Sequence, residues 1–154
     1  MQVKLDDIKK LREKTQAGVS DCRQALEDAK GDFEKAVKLI TERGLEKAAK
    51  KEGKETSQGI IESYVHANGK IGVLVELRCE TDFVARTDEF KHLAHEICLQ
   101  VASMNPKNIT ELLKEEYIRD PKVTIGDFVK QTVAKVGENI AVAKFSRIAL
   151  GLDK

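Results

Sequence analysis

The chain has 154 residues, enough for one ordinary domain or two small ones. Hydrophobic residues make up 41% and charged residues 34%, and 27 Lys+Arg against 26 Asp+Glu leave a net charge of +1, which argues against affinity built on phosphate neutralisation. No segment approaches the apolar length of a membrane helix, and MQVKLDDIKK lacks a signal peptide's apolar stretch and cleavage site, so the expectation is a cytoplasmic protein without a membrane or nucleic-acid partner.

Residues 1–45 predict three short amphipathic helices. Leu5, Ile8 and Leu11 recur at about one helical turn before a break at TQAGVSD. Cys22, Ala25, Leu26 and Ala29 then fall on one helical face, Gly31 closes that helix, and Asp32 can cap the next. Phe33, Ala36, Val37 and Ile40 form the third stripe, with Gly44 as its stop. A bundle of this size is small enough to be marginally stable. Residues 46–58 lack apolar periodicity after Ala49 and read as a solvated connector, helical at first and looser after Gly53. Glu46, Glu52 and Glu55 largely cancel its lysines, which removes the case for a basic patch.

Residues 59–154 predict an α+β core. In GIIESYVHANGKIGVLVELRCE, Asn68-Gly69 is the favoured pair for a two-residue hairpin turn with positive φ at both positions. That register sets Tyr64 opposite Val73 and places Ile71, Val73, Val75, Leu77 and Cys79 on one face, with Glu62 as a blemish. Leu74 gives the other face apolar character, so the strand admits cover on both sides. From Thr87 a long helix carries Phe90, Leu93, Ala94, Ile97, Cys98 and Val101 as its stripe, and Asn105-Pro106 ends it. NITELLKEEYIRDPK reads as a helical turn and loop. Thr124 and Asp127 have capping-box spacing, ahead of a helix faced by Ile125, Phe128, Val129, Thr132, Val133 and Val136 and ended by Gly137. ENIAVAKFSRIALG is a last strand whose mixed alternation allows a bulge. The expected fold is thus a three-helix module, a connector, and an antiparallel three-stranded sheet (hairpin plus C-terminal strand) packed with helices.

Chemistry is weakly signalled. There is no Gly-rich phosphate loop of familiar spacing. His92, His95 and Cys98 share one helix, but each three-residue step drifts about sixty degrees around it, so the three do not converge as tetrahedral metal ligands. Solvated histidines are the better reading. Cys22, Cys79 and Cys98 are an odd number without paired close spacing, which favours small buried thiols in a reducing compartment. Glu80 and Asp82 beside Cys79 give the wrong field for a thiolate nucleophile. Neither an enzyme nor a cofactor or metal protein is expected.

The stretch CETDFVARTDEF, residues 79–90, places Phe83 at a polar joint between the hairpin and the long helix. A large aromatic there either pins the turn to its own core or anchors a partner. Phe90 already opens the helix stripe, and Thr81-Asp82 keep the joint polar, which favours the second. Composition and periodicity alone also fit a non-catalytic interaction protein, a helical binding module on a dimerising domain.

CETDFVAR resembles the signature of the elongation factor Ts family, the exchange factors of the translational GTPase elongation factor Tu. KKLREKTQAGVSDCRQALEDAKGDFEKAVKLITERG resembles that family's ubiquitin-associated-type three-helix domain, AKVGENIAVAKF its second signature, and HANGKIGVLVE its hairpin. Gln16, Val19 and Ser20 stand where the family commonly has Gly, Met and Met. Between Pro106 and Val123 the chain lacks the family's longer helical insertion, and its single hairpin-plus-helix core resembles the compact members, which implies a homodimer. The resemblance further implies that Arg12, Thr15, Ala17, Gly18 and Val19 grip the nucleotide-binding domain of elongation factor Tu, in its GDP-bound and nucleotide-free states. It implies that Thr81, Asp82, Phe83 and Val84 form a loop inserted beside the GTPase's magnesium site, where the aromatic displaces groups that order the metal and the phosphate loop.

Overall fold

The computed structural model describes residues 2–151; Met1 and residues 152–154, the outer ends of the two expected domains, lie outside it. Its first helices are α1 (Leu5–Thr15), α2 (Val19–Asp28) and α3 (Phe33–Lys51). Ile8, Leu11, Cys22, Ala25, Leu26, Ala29 and Ala36 form their shared core, while Leu5 stays exposed. Gly31 has φ 82° and donates its N–H to the Leu26 carbonyl at 2.9 Å. Asp32 then accepts the Lys35 N–H at 3.0 Å, the cap expected at the head of α3.

The break after α1 is a left-handed cap. Gln16 has φ 58° and donates its N–H to the Arg12 carbonyl at 2.7 Å. A Cβ is disfavoured in that region by about 1 kcal/mol, a penalty that glycine escapes. Gln16→Gly should therefore raise the urea midpoint, by an amount equivalent to about 1 kcal/mol. An unchanged or lower midpoint would contradict the strain assigned to Gln16.

Strands β1 (Gln58–Val65) and β2 (Ile71–Cys79) pair antiparallel in the expected register, with Tyr64 opposite Val73 and Glu62 opposite Val75. The connection differs from the expected two-residue turn. His66 pairs with Ile71 across a longer loop, Gly69 alone takes positive φ (72°), and the Asn68 side chain accepts the Lys70 N–H at 3.0 Å. The Asn68 amide thus stabilises the loop without entering the left-handed region.

A single helical turn, α4 (Asp82–Ala85), separates β2 from α5 (Asp88–Met104). Every residue of the expected stripe, from Phe90 to Val101, is buried, and Val73, Val75, Leu77 and Cys79 meet it from the sheet. After α5 come α6 (Ile109–Lys114), the two-stranded hairpin β3 (Glu116–Tyr117) and β4 (Asp120–Thr124), α7 (Ile125–Val136) and β5 (Ile140–Ala149). Thr124 and Asp127 make the reciprocal capping box, and Gly137 ends α7 with φ 76°. β5 completes the sheet in the order β1-β2-β5. Leu77 pairs with Val142 but Glu76 with Lys144, which makes Ala143 the bulged residue in the strand where a bulge was expected.

Two further features depart from expectation. The β3–β4 hairpin replaces a predicted loop and is held by polar side chains of α5. Buried Glu96 accepts from the Tyr117 hydroxyl at 2.8 Å and from Arg119 Nε at 2.7 Å. Gln100, fully buried, donates to the Glu116 carbonyl and accepts the Ile118 N–H, both at 3.0 Å. Second, Gly44 does not stop α3. It lies inside the helix where α3 crosses α7, and a Cβ built on it would stand 3.2 Å from the Ala134 Cβ. Glycine is there for close helix approach. The expected connector therefore begins as helix to Lys51, and its Ala48 is buried in the main core rather than in the module.

Candidate functional site

Cys79 ends β2 with its side chain buried, so the chain leaves the sheet at Glu80 and must turn at once into α5. Thr81 makes that turn. Its hydroxyl accepts the Val84 N–H at 3.3 Å and its carbonyl accepts the Ala85 N–H at 3.3 Å, which winds α4 from an N-cap. The Cys79 thiol donates to the same carbonyl at 3.0 Å. From the far side, Glu138 accepts the Thr81 N–H at 3.0 Å and the Thr81 hydroxyl at 2.8 Å. Thr87 closes the turn by donating its hydroxyl to the Val84 carbonyl at 2.7 Å.

The four residues of this turn then part company. Val84 and Ala85 point into the core, at 5% and 4% exposure. Phe83 points out, with 78% of its surface exposed. Asp82 is also exposed and pairs with Arg86 one turn on. The Val84 side chain anchors the turn, because a one-turn helix must bury one face to be held at all. Phe83 is left as the protruding group.

The second patch is the α1–α2 turn. Arg12, Gly18 and Val19 are exposed, Val19 at 51%. Thr15 and Ala17 are half-buried, and the Thr15 hydroxyl donates to the Leu11 carbonyl at 2.7 Å and accepts the Ala17 N–H at 3.3 Å. Thr15 thus shapes the turn, while Gly18 and Val19 offer surface. Thr15 to Gly18 border a cleft of about 330 Å³ that α3 and α7 complete through Ile40, Gly44, Ala134 and Lys135. Arg12 and Val19 lie outside its lining. α4 packs on β1, β2 and α5, and the module packs on the core through α3 and α7, so the two patches occupy separate parts of one frame.

Other titratable groups are structural. His92 and His95 are exposed and lie edge-on to different rings, Phe128 at 6.2 Å and Tyr64 at 6.1 Å. Among the described residues no cluster of three His, Cys, Asp or Glu side chains could hold a metal. The three cysteines are free and buried. Burial, with the Glu138 carboxylate next, pushes the Cys79 thiol up to about 11, which keeps it protonated and unreactive at neutral pH. Burial, with Glu62, pushes Cys98 up to about 12. Both thiols keep in the folded state a proton that the unfolded chain releases near pH 9. Their contribution to stability is complete below that pH and is lost as pH rises through 11 and 12. Urea unfolding should show falling stability above pH 9, with a shallower fall in Cys98→Ala. Equal slopes in the two proteins would contradict this assignment.

Glu138, Glu80 and Asn139 are the site residues that sequence reasoning did not single out. Glu138 and Asn139 lie in AKVGENIAVAKF and Glu80 in CETDFVAR, but as polar residues at ordinary turns they carry no local sign of a role. Nothing local pairs that turn with residues 57 positions earlier.

The structure thus presents an exposed aromatic on a turn braced from both sides, carried by a small α+β core with a helical module, a form suited to an interface anchor. The family model for elongation factor Ts matches residues 80–153, which include the braced turn and the Glu138 joint. Proteins named elongation factor Ts from Fervidobacterium nodosum and Thermotoga maritima are each 41% identical to the chain, over alignments covering 98% of it and 100% and 98% of the relatives. One from Desulfosudis oleivorans is 40% identical, covering 94% of the chain and 96% of that protein. The chain belongs to the elongation factor Ts family. These alignments run to 196, 194 and 189 positions against 154 residues here, so the relatives hold residues that this chain lacks.

Proposed function

We propose that the chain is a guanine-nucleotide exchange factor that binds elongation factor Tu carrying GDP and promotes GDP release during translation elongation, in the cytoplasm. The observation that carries this reading is Phe83, 78% exposed on a turn held by its own N-cap and by Glu138. Arg12, Thr15, Ala17, Gly18 and Val19 serve as the module's grip on the GTPase, with Gly18 and Val19 as the protruding part. Phe83 enters an apolar slot beside the partner's magnesium site.

Burying such a ring contributes about 1.5–3 kcal/mol, which is available to distort the partner. Mg²⁺ demands near-ideal octahedral geometry, so a small displacement of its ligands weakens its hold on GDP. Linkage then requires that GDP weaken the factor's binding as much as the factor weakens GDP's. The factor leaves when nucleotide re-enters, and no covalent bond is made or broken. Release of fluorescent GDP from purified elongation factor Tu tests the reading. A factor that binds the GTPase without speeding release would leave a passive interaction protein.

A homodimer is proposed on the outer face of the sheet. The register aligns Val65, Gly72 and Ile148 in one row and sets Leu74 beside Ser146 in the next. Leu74, Val65, Ile148 and Ile61 are exposed at 51%, 64%, 67% and 70%, an uncovered apolar face of the kind that marks an interface. A second copy covers it symmetrically. Light scattering should return twice the chain mass, and Leu74→Asp should return the monomer. A monomeric wild type would remove the proposal.

A further inference from the structure

The joint between α7 and β5 touches the Phe83 turn at one side chain. Glu138 follows Gly137, which ends α7, and reaches 57 residues back to Thr81. Its two carboxylate oxygens take different protons: one accepts the Thr81 backbone N–H at 3.0 Å, the other the Thr81 hydroxyl at 2.8 Å. With its proton given to Glu138, that hydroxyl presents a lone pair to the Val84 N–H at 3.3 Å. The orientation of the cap is thus set by the carboxylate. The neighbouring residues are tied in the opposite sense. The Asn139 N–H donates to Glu80 at 2.8 Å, and the Asn139 side-chain amide donates to the Lys54 carbonyl at 2.8 Å. Two adjacent residues of one joint therefore grip two adjacent residues of the other, and α7 itself packs on α3 of the helical module.

We infer that Glu138 is a positioning residue for nucleotide exchange: acting through Thr81, it holds the one-turn helix α4 so that Phe83 is presented in a single orientation before the partner arrives. The inference rests on the exchange-factor reading for its consequence, and on the free protein's geometry for its cause. A four-residue helix has no stability of its own, because nucleating one turn is unfavourable. Without Glu138, the buried side chains of Val84 and Ala85 still tether the turn, but its polar cap loses two charge-assisted bonds. The ring then samples several orientations. Only the fraction in the productive one can act, so the maximal rate falls while the module's grip persists.

Two measurements on Glu138→Ala, with Glu138→Gln as the conservative variant, decide it. In the free full-length protein, hydrogen–deuterium exchange at the amides of residues 81–86 should quicken at least severalfold in Glu138→Ala and remain nearer wild type in Glu138→Gln, which keeps one acceptor for the Thr81 N–H. In GDP release from elongation factor Tu at saturating factor, Glu138→Ala should be severalfold slower than wild type. In a Phe83→Ala background it should cause no further slowing. Unchanged amide exchange overturns the positioning role. Equal slowing with and without the Phe83 ring overturns its route through that ring. If wild type itself does not speed GDP release, the exchange-factor reading fails, and the amide exchange still decides whether Glu138 holds the turn. Should Glu138→Ala not fold, the same comparisons with Glu138→Gln and Thr81→Val decide it.

Discussion

Phe83→Ala is expected to fold as the parent chain does and to lose most of its ability to speed GDP release. The first half follows from exposure: at 78% exposed, the ring contributes little to its own core. The urea midpoint and far-ultraviolet spectrum should therefore stay within error of wild type. The second half follows from the role proposed for the ring. If 1.5–3 kcal/mol of burial in the partner is coupled to distortion of its magnesium shell, losing it slows release by roughly ten- to a hundredfold. Association through the helical module should fall much less. A well-folded Phe83→Ala protein with full exchange activity would show that the ring is not the group that acts.

Gly59→Ala should damage stability more than any surface change. Gly59 lies in β1 opposite Arg78 with φ 154°, and a Cβ there would stand 2.0 Å from the Leu77 carbonyl oxygen and 2.8 Å from the Arg78 Cα. Both obstacles are backbone, so no side chain can swing aside. Either β1 lifts from β2 at this end or the backbone accepts strain, at a cost of about 2–3 kcal/mol. Urea unfolding measures it directly. The same end of β2 feeds Cys79 and Thr81, so the surviving folded fraction should also show faster amide exchange at residues 81–86. A midpoint equal to wild type would mean the strand edge is softer than its geometry indicates.

The elements with long periodic faces were legible in advance. The stripe from Phe90 to Val101, the capping box of Thr124 and Asp127, the hairpin register and the bulged last strand all follow from local spacing, and each is realised. The short or ambiguous elements were not. α4 has four residues, too few for a period to show. β3 has two, and β4 contains Pro121, which argues against a strand unless it lies on an edge. Glu96 and Gln100, which hold that hairpin, are polar side chains buried on an amphipathic helix whose other polar residues are mostly exposed. Gly44 illustrates the ambiguity well: a glycine late in a helix is read as a stop, and only the Ala134 Cβ beyond it shows that it marks a crossing.

At the site, residue types in CETDFVAR carried the resemblance, yet they did not separate the protruding side chain from its supports. Thr81 is a cap and a ligand of Glu138, Val84 is an anchor, and Asp82 is paired with Arg86. By itself the sequence determined the long helices and the three strands of the main sheet, which of their faces are apolar, and that an aromatic stands at the joint after β2, because periodicity, caps and turns depend on neighbours along the chain. Only the tertiary structure decided that Phe83 faces outward and that a carboxylate far along the chain binds Thr81 beneath it. Exposure is set by which distant side chains already fill the core. Beneath this turn Val84, Ala85 and Phe90 fill it, leaving the Phe83 ring to solvent.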